Sequence, residues 1–417
     1  MADQSADEED TQAVPGAALS TACRHTHMMS VEDARSTLRQ SLAPLPARRA
    51  HLADNIGATL AEPLCTGTAL PPVDVSAMDG YAIRGNGPWI LRPDIQVAGP
   101  TRADPLGQGE AIRIGTGARV PAGSTTVVRD EYVTATTIFG KPGVAHRPDA
   151  PIRDDTRRRG ENWPCGAELA PSGHRVSLAL VSAAVSAETP TAELRGLLRA
   201  RVILTGNEIR TEGGLAPGQT RDSLGPVLPH YLRALDITCA EVTHVPDRSD
   251  QICDLITATD TVDLVVVVGA TRHGPADHLR RALQAARADT IVDGVACRPA
   301  GSQLTAQVPG GTIVLCLPGN PYAAVAALLI TAPTIVDALT SRIPRTPTLG
   351  HIADTRDLAA SDTTRILPAT RRPDGNWDVD SKVHTPHLAG LIARDAFALV
   401  PPRPDPARLI ELVDIPP

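Results

Sequence analysis

The pattern of apolar and polar positions changes character twice along the chain. From Ser30 the apolar residues Val31, Ala34, Leu38 and Leu42 recur at helical spacing, with Glu32 and Asp33 in the first turn and Ser30 placed to cap it. Pro44 and Pro46 end that helix. Residues 51–190 then read as short strands and turns. Pro and Gly recur every few positions, as in Gly85-Asn86-Gly87 and Gly115-Thr116-Gly117, and β-prone runs at 111–114 and 125–128 lie between them.

Near residue 198 the pattern shifts to strands alternating with helices. Residues 201–204 form a short apolar strand ending in Thr205-Gly206, followed by a helix over 223–235, an extended run over 238–243 and a helix over 249–258. Residues 264–268 (Leu-Val-Val-Val-Val) are wholly apolar and β-branched, the look of a strand buried on both faces. A helix over 276–288 follows. Residues 313–317 repeat the theme, end in Pro318-Gly319-Asn320-Pro321, and lead into an Ala-rich helix to about 339. Such alternation implies a parallel sheet with right-handed crossovers. After Pro344 short strands return, with Pro373-Asp374-Gly375-Asn376 as a hairpin turn. The fold class is therefore multi-domain α/β plus β: β-rich N-terminal domains, a central parallel α/β domain and a small C-terminal β domain.

Composition narrows the function. Aromatics make up 2% of the 417 residues, too few for the stacking platforms of single-stranded nucleic-acid binders. The net charge of -7 gives no global attraction to a polyanion, so an anionic ligand must meet a local site. No apolar run is expected to approach the ~20 residues that span a bilayer, and the acidic start, residues 1–11, is unlike a secretory signal. The seven cysteines are scattered without a CxxC pair, which argues against zinc and disulfides. Cys297 and Cys316 read as packed thiols. The expectation is a soluble, reduced, cytoplasmic protein with no nucleic-acid or membrane partner.

In an open parallel sheet, ligands bind beyond the carboxyl ends of the strands. That rule selects Thr205-Gly206-Asn207-Glu208, the segment from Gly269 through Gly274 to Asp277, and Pro318-Gly319-Asn320-Pro321. Glycine lets backbone approach a ligand, and a helix starting behind it offers free N–H groups to an anion. Glu208, Asp247 and Asp277 are carboxylates suited to a hydrated Mg²⁺. Any one of these loops alone reads as an ordinary turn; three in one domain point to a phosphate-bearing ligand without identifying it.

The literal strings carry a resemblance. Ser76-Ala77-Met78-Asp79-Gly80-Tyr81-Ala82 resembles the signature of the molybdopterin molybdenumtransferase family, which includes the E domain of gephyrin. Further strings follow in the family's order: Thr116-Gly117-Ala118-Arg119-Val120-Pro121, Arg157-Arg158-Arg159-Gly160-Glu161, Leu204-Thr205-Gly206-Asn207-Glu208 and Leu317-Pro318-Gly319-Asn320-Pro321. Residues 1–29, rich in Asp, Glu, Ala, Ser and Thr without a sustained apolar period, read as a disordered tail. The resemblance implies a helix (30–50) on the α/β domain and four domains. They are an elongated domain (51–69 with 153–188), an inserted β-rich domain (70–152), the molybdopterin-binding α/β domain (189–341) and a C-terminal β domain (342–417).

The same resemblance implies a homodimer with an intersubunit active site, supplied by a molybdopterin adenylyltransferase partner. Adenylylated molybdopterin and molybdate are the substrates, Mg²⁺ the cofactor and AMP a product. Asp79, Glu208 and Asp277 are then catalytic, with Asp79 and Thr116 arriving from the neighbouring subunit. Thr205, Gly206, Asp247, Gly269, Gly274, Arg298 and Pro318 through Pro321 line the ligand site, and Glu208, Asp247 and Asp277 hold the metal.

The departures cluster where the family binds anions. Its Ser-Gly-Gly-x-Ser-x-Gly loop reads Val268-Gly269-Ala270-Thr271-Arg272-His273-Gly274 here, and its Lys-Pro-Gly-Lys-Pro segment reads Arg298-Pro299-Ala300-Gly301-Ser302. A Gly-Ser-x-x-Leu element appears as Thr385-Pro386-His387-Leu388. Arg272, His273 and Arg298 either rebuild the anion site or lie in solvated loops, so a non-catalytic molybdopterin carrier or scaffold stands as the alternative. A His384–His387 metal pair lacks a visible third ligand.

Overall fold

The computed structural model describes residues 28–100, 102–258, 261–271, 278–354, 358, 361–381, 387–404 and 408–417. The expected tail, residues 1–29, lies outside this set except for Met28 and Met29. Met29 bridges Val295, and its carbonyl accepts from Ala296 N at 2.7 Å, so order begins before Ser30.

Helix α1 (Val31–Ser41) starts where the sequence predicts. The Ser30 hydroxyl accepts from Asp33 N at 3.0 Å, and Val31, Ala34 and Leu38 turn into the core. The N-terminal half is mainly β, as expected. Gly80–Ile83, Trp89–Gln96, Glu110–Ile114, Thr126–Arg129, Val133–Ile138 and Lys141–His146 form one six-stranded sheet. Arg48–His51, Thr191–Arg195 and Thr59–Leu60 form a smaller one. Helix α2 (Leu178–Ser186) departs from the strands-and-turns reading. Ser177 caps it, accepting from Leu180 N at 3.2 Å, and Leu180 and Ala184 face inward. Its outward face is also apolar, with Leu178 72% and Val185 59% exposed, which masks the helical period.

The central sheet runs in the order Ile237–Val245, Leu198–Thr205, Leu264–Val268, Ile313–Leu317, Leu304–Gln307, Asp289–Asp293. Its first four strands are parallel. The last two pair antiparallel and extend it beyond the purely parallel sheet expected. Side chains alternate across it. Leu264, Val266 and Val268 pack with α1, with α3 (Leu228–Ala234) and with α6 (Pro321–Thr340). Val265 and Val267 pack on the other face with α4 (Ser249–Thr257) and α5 (His278–Ala285). Helix α3 begins later than expected because the Asp222 carboxylate accepts from Leu224 N at 3.0 Å and Gly225 N at 2.8 Å. That turn keeps 223–227 out of the helix.

Helix α6 corrects one expectation. Its 20 residues are long and apolar enough to cross a membrane, with Asp337 as their one charge. Most of it is buried against the sheet and α1, which accounts for its apolar length within the fold. The C-terminal segment forms a β-sheet containing Thr364–Arg371, Ala396–Val400, Ile410–Asp414 and Thr348–Gly350. The hairpin to Trp377–Val379 turns at Gly375, whose φ is +87°.

Asp337 faces Arg342, Arg39 and Arg345, with Asp236 nearby, yet burial pushes its carboxyl up to about 6. An acid whose folded pKa is raised costs stability as it ionises, so its penalty grows as pH rises from about 4 through about 6. Asp337→Asn is therefore expected to leave stability unchanged near pH 4 and to raise it by on the order of 1 kcal/mol near pH 8, a figure discounted for partial exposure. Thermal melts of both proteins across that range test the sign.

Candidate active site

Three parallel strands, Leu198–Thr205, Leu264–Val268 and Ile313–Leu317, end side by side, and their loops open onto a cavity of about 380 Å³. Thr205, Gly206, Glu208, Gly269 and Gly319, which the strand-end rule selects, line it together with Asp247. The loops are held close. Gly269 N donates to Leu317 O at 3.0 Å, and the Thr205 hydroxyl donates to Val268 O at 3.1 Å. A Cβ on Gly269, whose φ is +105°, would stand 2.4 Å from the Thr205 hydroxyl oxygen, so the position requires glycine. Gly206, at φ +147°, lets the Glu208 carboxylate fold over its Cα, where a Cβ would be 2.9 Å from Oε2.

Asn207 and Asp247 clasp each other. Asn207 N donates to Asp247 Oδ2 at 3.4 Å, and Asp247 N donates to Asn207 Oδ1 at 3.3 Å. His244 Nε2 lies 3.0 Å from Gly206 O on the same strand-end. The Asn207 amide thus fixes the Asp247 loop, and the carboxylates of Asp247 and Glu208 are presented to one cavity.

Other predicted residues are placed differently. Pro321 lines the cavity, but Pro318 is buried behind it. The Asn320 side chain caps α6, accepting from Ala323 N at 3.0 Å, which gives it a structural task. Arg298 corrects the expected phosphate contact. It is exposed on the short strand Cys297–Arg298, which pairs with Thr364–Arg371, and it does not line the cavity. That pairing draws it into the C-terminal sheet. From this segment it is Ser302 that reaches the loop after Val268, its hydroxyl 3.0 Å from that of Thr271. Gly274, Asp277, Arg272, His273, His384 and Thr385 lie outside the described residues.

The cavity also draws on residues the sequence did not single out: Arg221, Asp222, Ser223 and His278. His387, weighed as half of a metal pair and quoted in the altered Thr385-Pro386-His387-Leu388 element, lines it as well, so the C-terminal segment contributes to the wall. Ser223 opens the stretch read as helix, Arg221 and Asp222 lie just before it, and no motif marks them.

Asp79 and Thr116 come together elsewhere, on the N-terminal six-stranded sheet. Asp79 Oδ1 accepts from Thr116 N at 2.7 Å and from its hydroxyl at 2.9 Å. Those two bonds hold the exposed Asp79 carboxyl below the ordinary range. Gly80 beside it is obligatory, since a Cβ would meet Val128 O at 2.2 Å. Neither Asp79 nor Thr116 lines the cavity of its own chain.

The buried thiols bear out their reading. Both are buried, and burial pushes Cys297 up to about 12 and Cys316 higher still, which disfavours the reactive thiolate.

Residues 29–187 match the family described as "MoeA N-terminal region (domain I and II)", and residues 201–337 match "Probable molybdopterin binding domain". The molybdopterin molybdenumtransferase of Synechococcus elongatus is 31% identical over 298 residues, 67% of this chain and 72% of that one. The chain belongs to the molybdopterin molybdenumtransferase family. Molybdopterin molybdenumtransferase 2 of Mycobacterium tuberculosis is 31% identical over 61% of this chain and 66% of its own length. The fold agrees: the crystal structure of the molybdopterin biosynthesis moeA protein from Pyrococcus horikoshii OT3 superposes with a TM-score of 0.72. It covers 92% of this chain and 100% of that one at 18% identity. As a member of this family the chain is placed in molybdenum cofactor biosynthesis, and the residues lining the strand-end cavity, apart from His387, fall within the matched molybdopterin-binding domain.

Proposed function

We propose that this chain inserts molybdate into adenylylated molybdopterin and releases AMP in a Mg²⁺-dependent step. The observation that carries the reading is the convergence of Glu208 and Asp247 with Gly206, Gly269 and Gly319 on one cavity of the molybdopterin-binding domain. The glycines admit a ligand close to backbone, and the N-terminus of α6 behind Gly319 favours its negative charge.

Among the described residues no group of three His, Cys, Asp or Glu side chains is arranged to hold a metal ion. The donor chemistry still fits Mg²⁺, which binds through one or two carboxylates, several waters and substrate phosphate rather than an all-protein cage. Glu208 and Asp247 would hold it, with Asp277 as the third candidate. Bound there, Mg²⁺ would neutralise charge on the phosphates as AMP leaves. Glu208 and Asp247 would hold and orient the hydrated ion, the Asn207 clasp keeps the Asp247 loop in place, and the apolar wall of Leu204, Leu224 and Val268 limits water.

The reading includes a homodimer. Asp79 and Thr116, held as a pair away from the cavity of their own chain, would complete the partner's site. A molybdopterin adenylyltransferase would supply the substrate.

Purified protein given adenylylated molybdopterin, molybdate and Mg²⁺ is expected to release AMP, seen by chromatography, and to stop when Mg²⁺ is chelated. Tight binding without AMP release at any molybdate concentration would overturn the transferase reading in favour of a molybdopterin carrier.

A further inference from the structure

The segment between Ile209 and Arg221 forms a flap beside the cavity. Its base is a two-stranded pairing of Ile209–Arg210 with Thr220–Arg221. Thr220 N donates to Glu208 O at 2.9 Å, and Asp222 N donates to Arg210 O at 3.0 Å. Ile209, Thr220 and Arg221 line the cavity, so the base of the flap is part of its wall.

The tip is open to solvent. Residues 211–218 are exposed without exception, and Gly213, Gly214 and Gly218 have open space around them. Leu215 at the tip is 49% exposed, a large apolar side chain held over solvent next to a cavity with apolar walls. Within the tip, Ala216 N donates to Gln219 Oε1 and Gln219 N donates to Ala216 O, each at 3.0 Å. Among the described residues, one side chain ties the tip back to its base. Arg221 Nη2 donates to Gly213 O at 2.6 Å, and its Nη1 reaches Arg210 O at 3.5 Å.

That side chain is itself a cavity-lining cation facing a site that also presents Glu208, Asp222 and Asp247. Its guanidinium is spent on neutral carbonyls, the second at marginal distance, and has no carboxylate partner among the described residues. A phosphate is a much stronger acceptor for a guanidinium fork than a peptide carbonyl. An anionic ligand in the cavity therefore competes for Arg221 directly, and whatever wins decides whether Gly213 stays tethered.

The geometry points to Arg221 as the residue that recognises the ligand's phosphate and, by exchanging the Gly213 carbonyl for it, releases the 211–219 tip to close over the cavity. Closure carries Leu215 toward Leu204, Ile209 and Leu224, burying apolar surface that is now wet. It also excludes water from the phosphate. This assignment rests on the proposed transferase reading, and adds to it the residue that senses the nucleotide and the element that moves.

AMP and adenosine, which differ in the phosphate, are the probes. Calorimetry on the full chain is expected to show AMP bound more tightly than adenosine by about tenfold or more. Arg221→Gln should erase that preference while leaving adenosine affinity and the thermal midpoint unchanged, since the side chain is exposed. Arg221→Lys should keep part of it, as a point charge without the fork. Amide hydrogen exchange over 211–219 should slow when AMP binds the wild type. In Arg221→Gln it should run fast in both states. A phosphate preference that survives Arg221→Gln, or exchange that AMP leaves unaltered in the wild type, overturns the Arg221 assignment alone. A wild type that binds neither probe overturns both it and the reading beneath it.

Discussion

Replacing Asp236 by alanine is expected to destabilise the chain by about 3–5 kcal/mol, the largest loss we anticipate from any single substitution outside the cavity. Asp236 follows α3 in the left-handed region, φ +62°, and its carboxylate is 7% exposed. Arg175 grips it with Nε at 2.7 Å and Nη2 at 2.5 Å, and Arg342 adds Nη1 at 2.8 Å. Arg342 in turn donates to the Thr59 hydroxyl at 3.0 Å and to Gly57 O at 2.5 Å. One carboxylate thus joins Thr59 and Arg175 of the N-terminal half, the central sheet and the segment after α6. Burial pushes this carboxyl up, but the bonds from both guanidiniums outweigh it and hold it below the ordinary range. A lowered folded pKa contributes stability above the usual carboxylate pKa and loses it as pH falls through the folded value, so acid should loosen the same junction.

Truncation to alanine strands two guanidiniums, one of them 6% exposed, and places a Cβ residue without a side-chain acceptor in the left-handed region. Asp236→Asn separates the two effects, since asparagine tolerates that backbone and keeps an acceptor but drops the charge. Urea unfolding at neutral pH should rank wild type above Asp236→Asn above Asp236→Ala. A midpoint for Asp236→Ala within about 1 kcal/mol of wild type would mean that the cluster contributes little beyond a surface ion pair.

What the sequence reveals here, and what it hides, follows from how each feature is encoded. The strands Leu264–Val268 and Ile313–Leu317 are legible to the residue because both faces are buried and glycine-containing loops end them. From them the strand-end rule reaches Thr205, Gly206, Gly269 and Gly319 without any family in view. The strands Asp289–Asp293 and Leu304–Gln307 are not, for they lie toward the sheet's edge and carry Asp, Thr and Gln among their apolar positions. Arg221, Asp222 and Ser223 escape for another reason. Arg221 and Asp222 lie just before the stretch read as helix and Ser223 opens it, and the Asp222 turn, a tertiary detail of two N–H groups, has no string that marks it. Arg298 shows the opposite case, a motif residue that does not line the cavity. Its motif suggests an anion site, but strand pairing with Thr364–Arg371 is a non-local event that no local string encodes.

The second large effect tests the proposal that two chains share one site. Glu208→Gln and Asp79→Asn are each expected to lower AMP release on the order of a hundredfold, the usual cost of removing one preorganised charge from a transition state. Both substitutions are nearly isosteric, and Asp79→Asn preserves an acceptor for Thr116 N and its hydroxyl, so the fold is not the variable. The decisive case is the mixture. If Asp79 of one subunit serves the cavity of the other, a heterodimer of the two variants has one site with both lesions and one site with neither. Random reassociation makes half the dimers mixed, so unfolding and refolding an equimolar mixture should restore about a quarter of wild-type activity. If Asp79 instead served its own chain's cavity, every site in the mixed dimer would carry one lesion and activity would stay at the level of the single variants. The Asp79–Thr116 pair, exposed on the N-terminal sheet and absent from the wall of its own cavity, favours the first outcome. Failure to recover activity from refolded wild-type-competent mixtures would place catalysis within one chain and remove the intersubunit site from the mechanism.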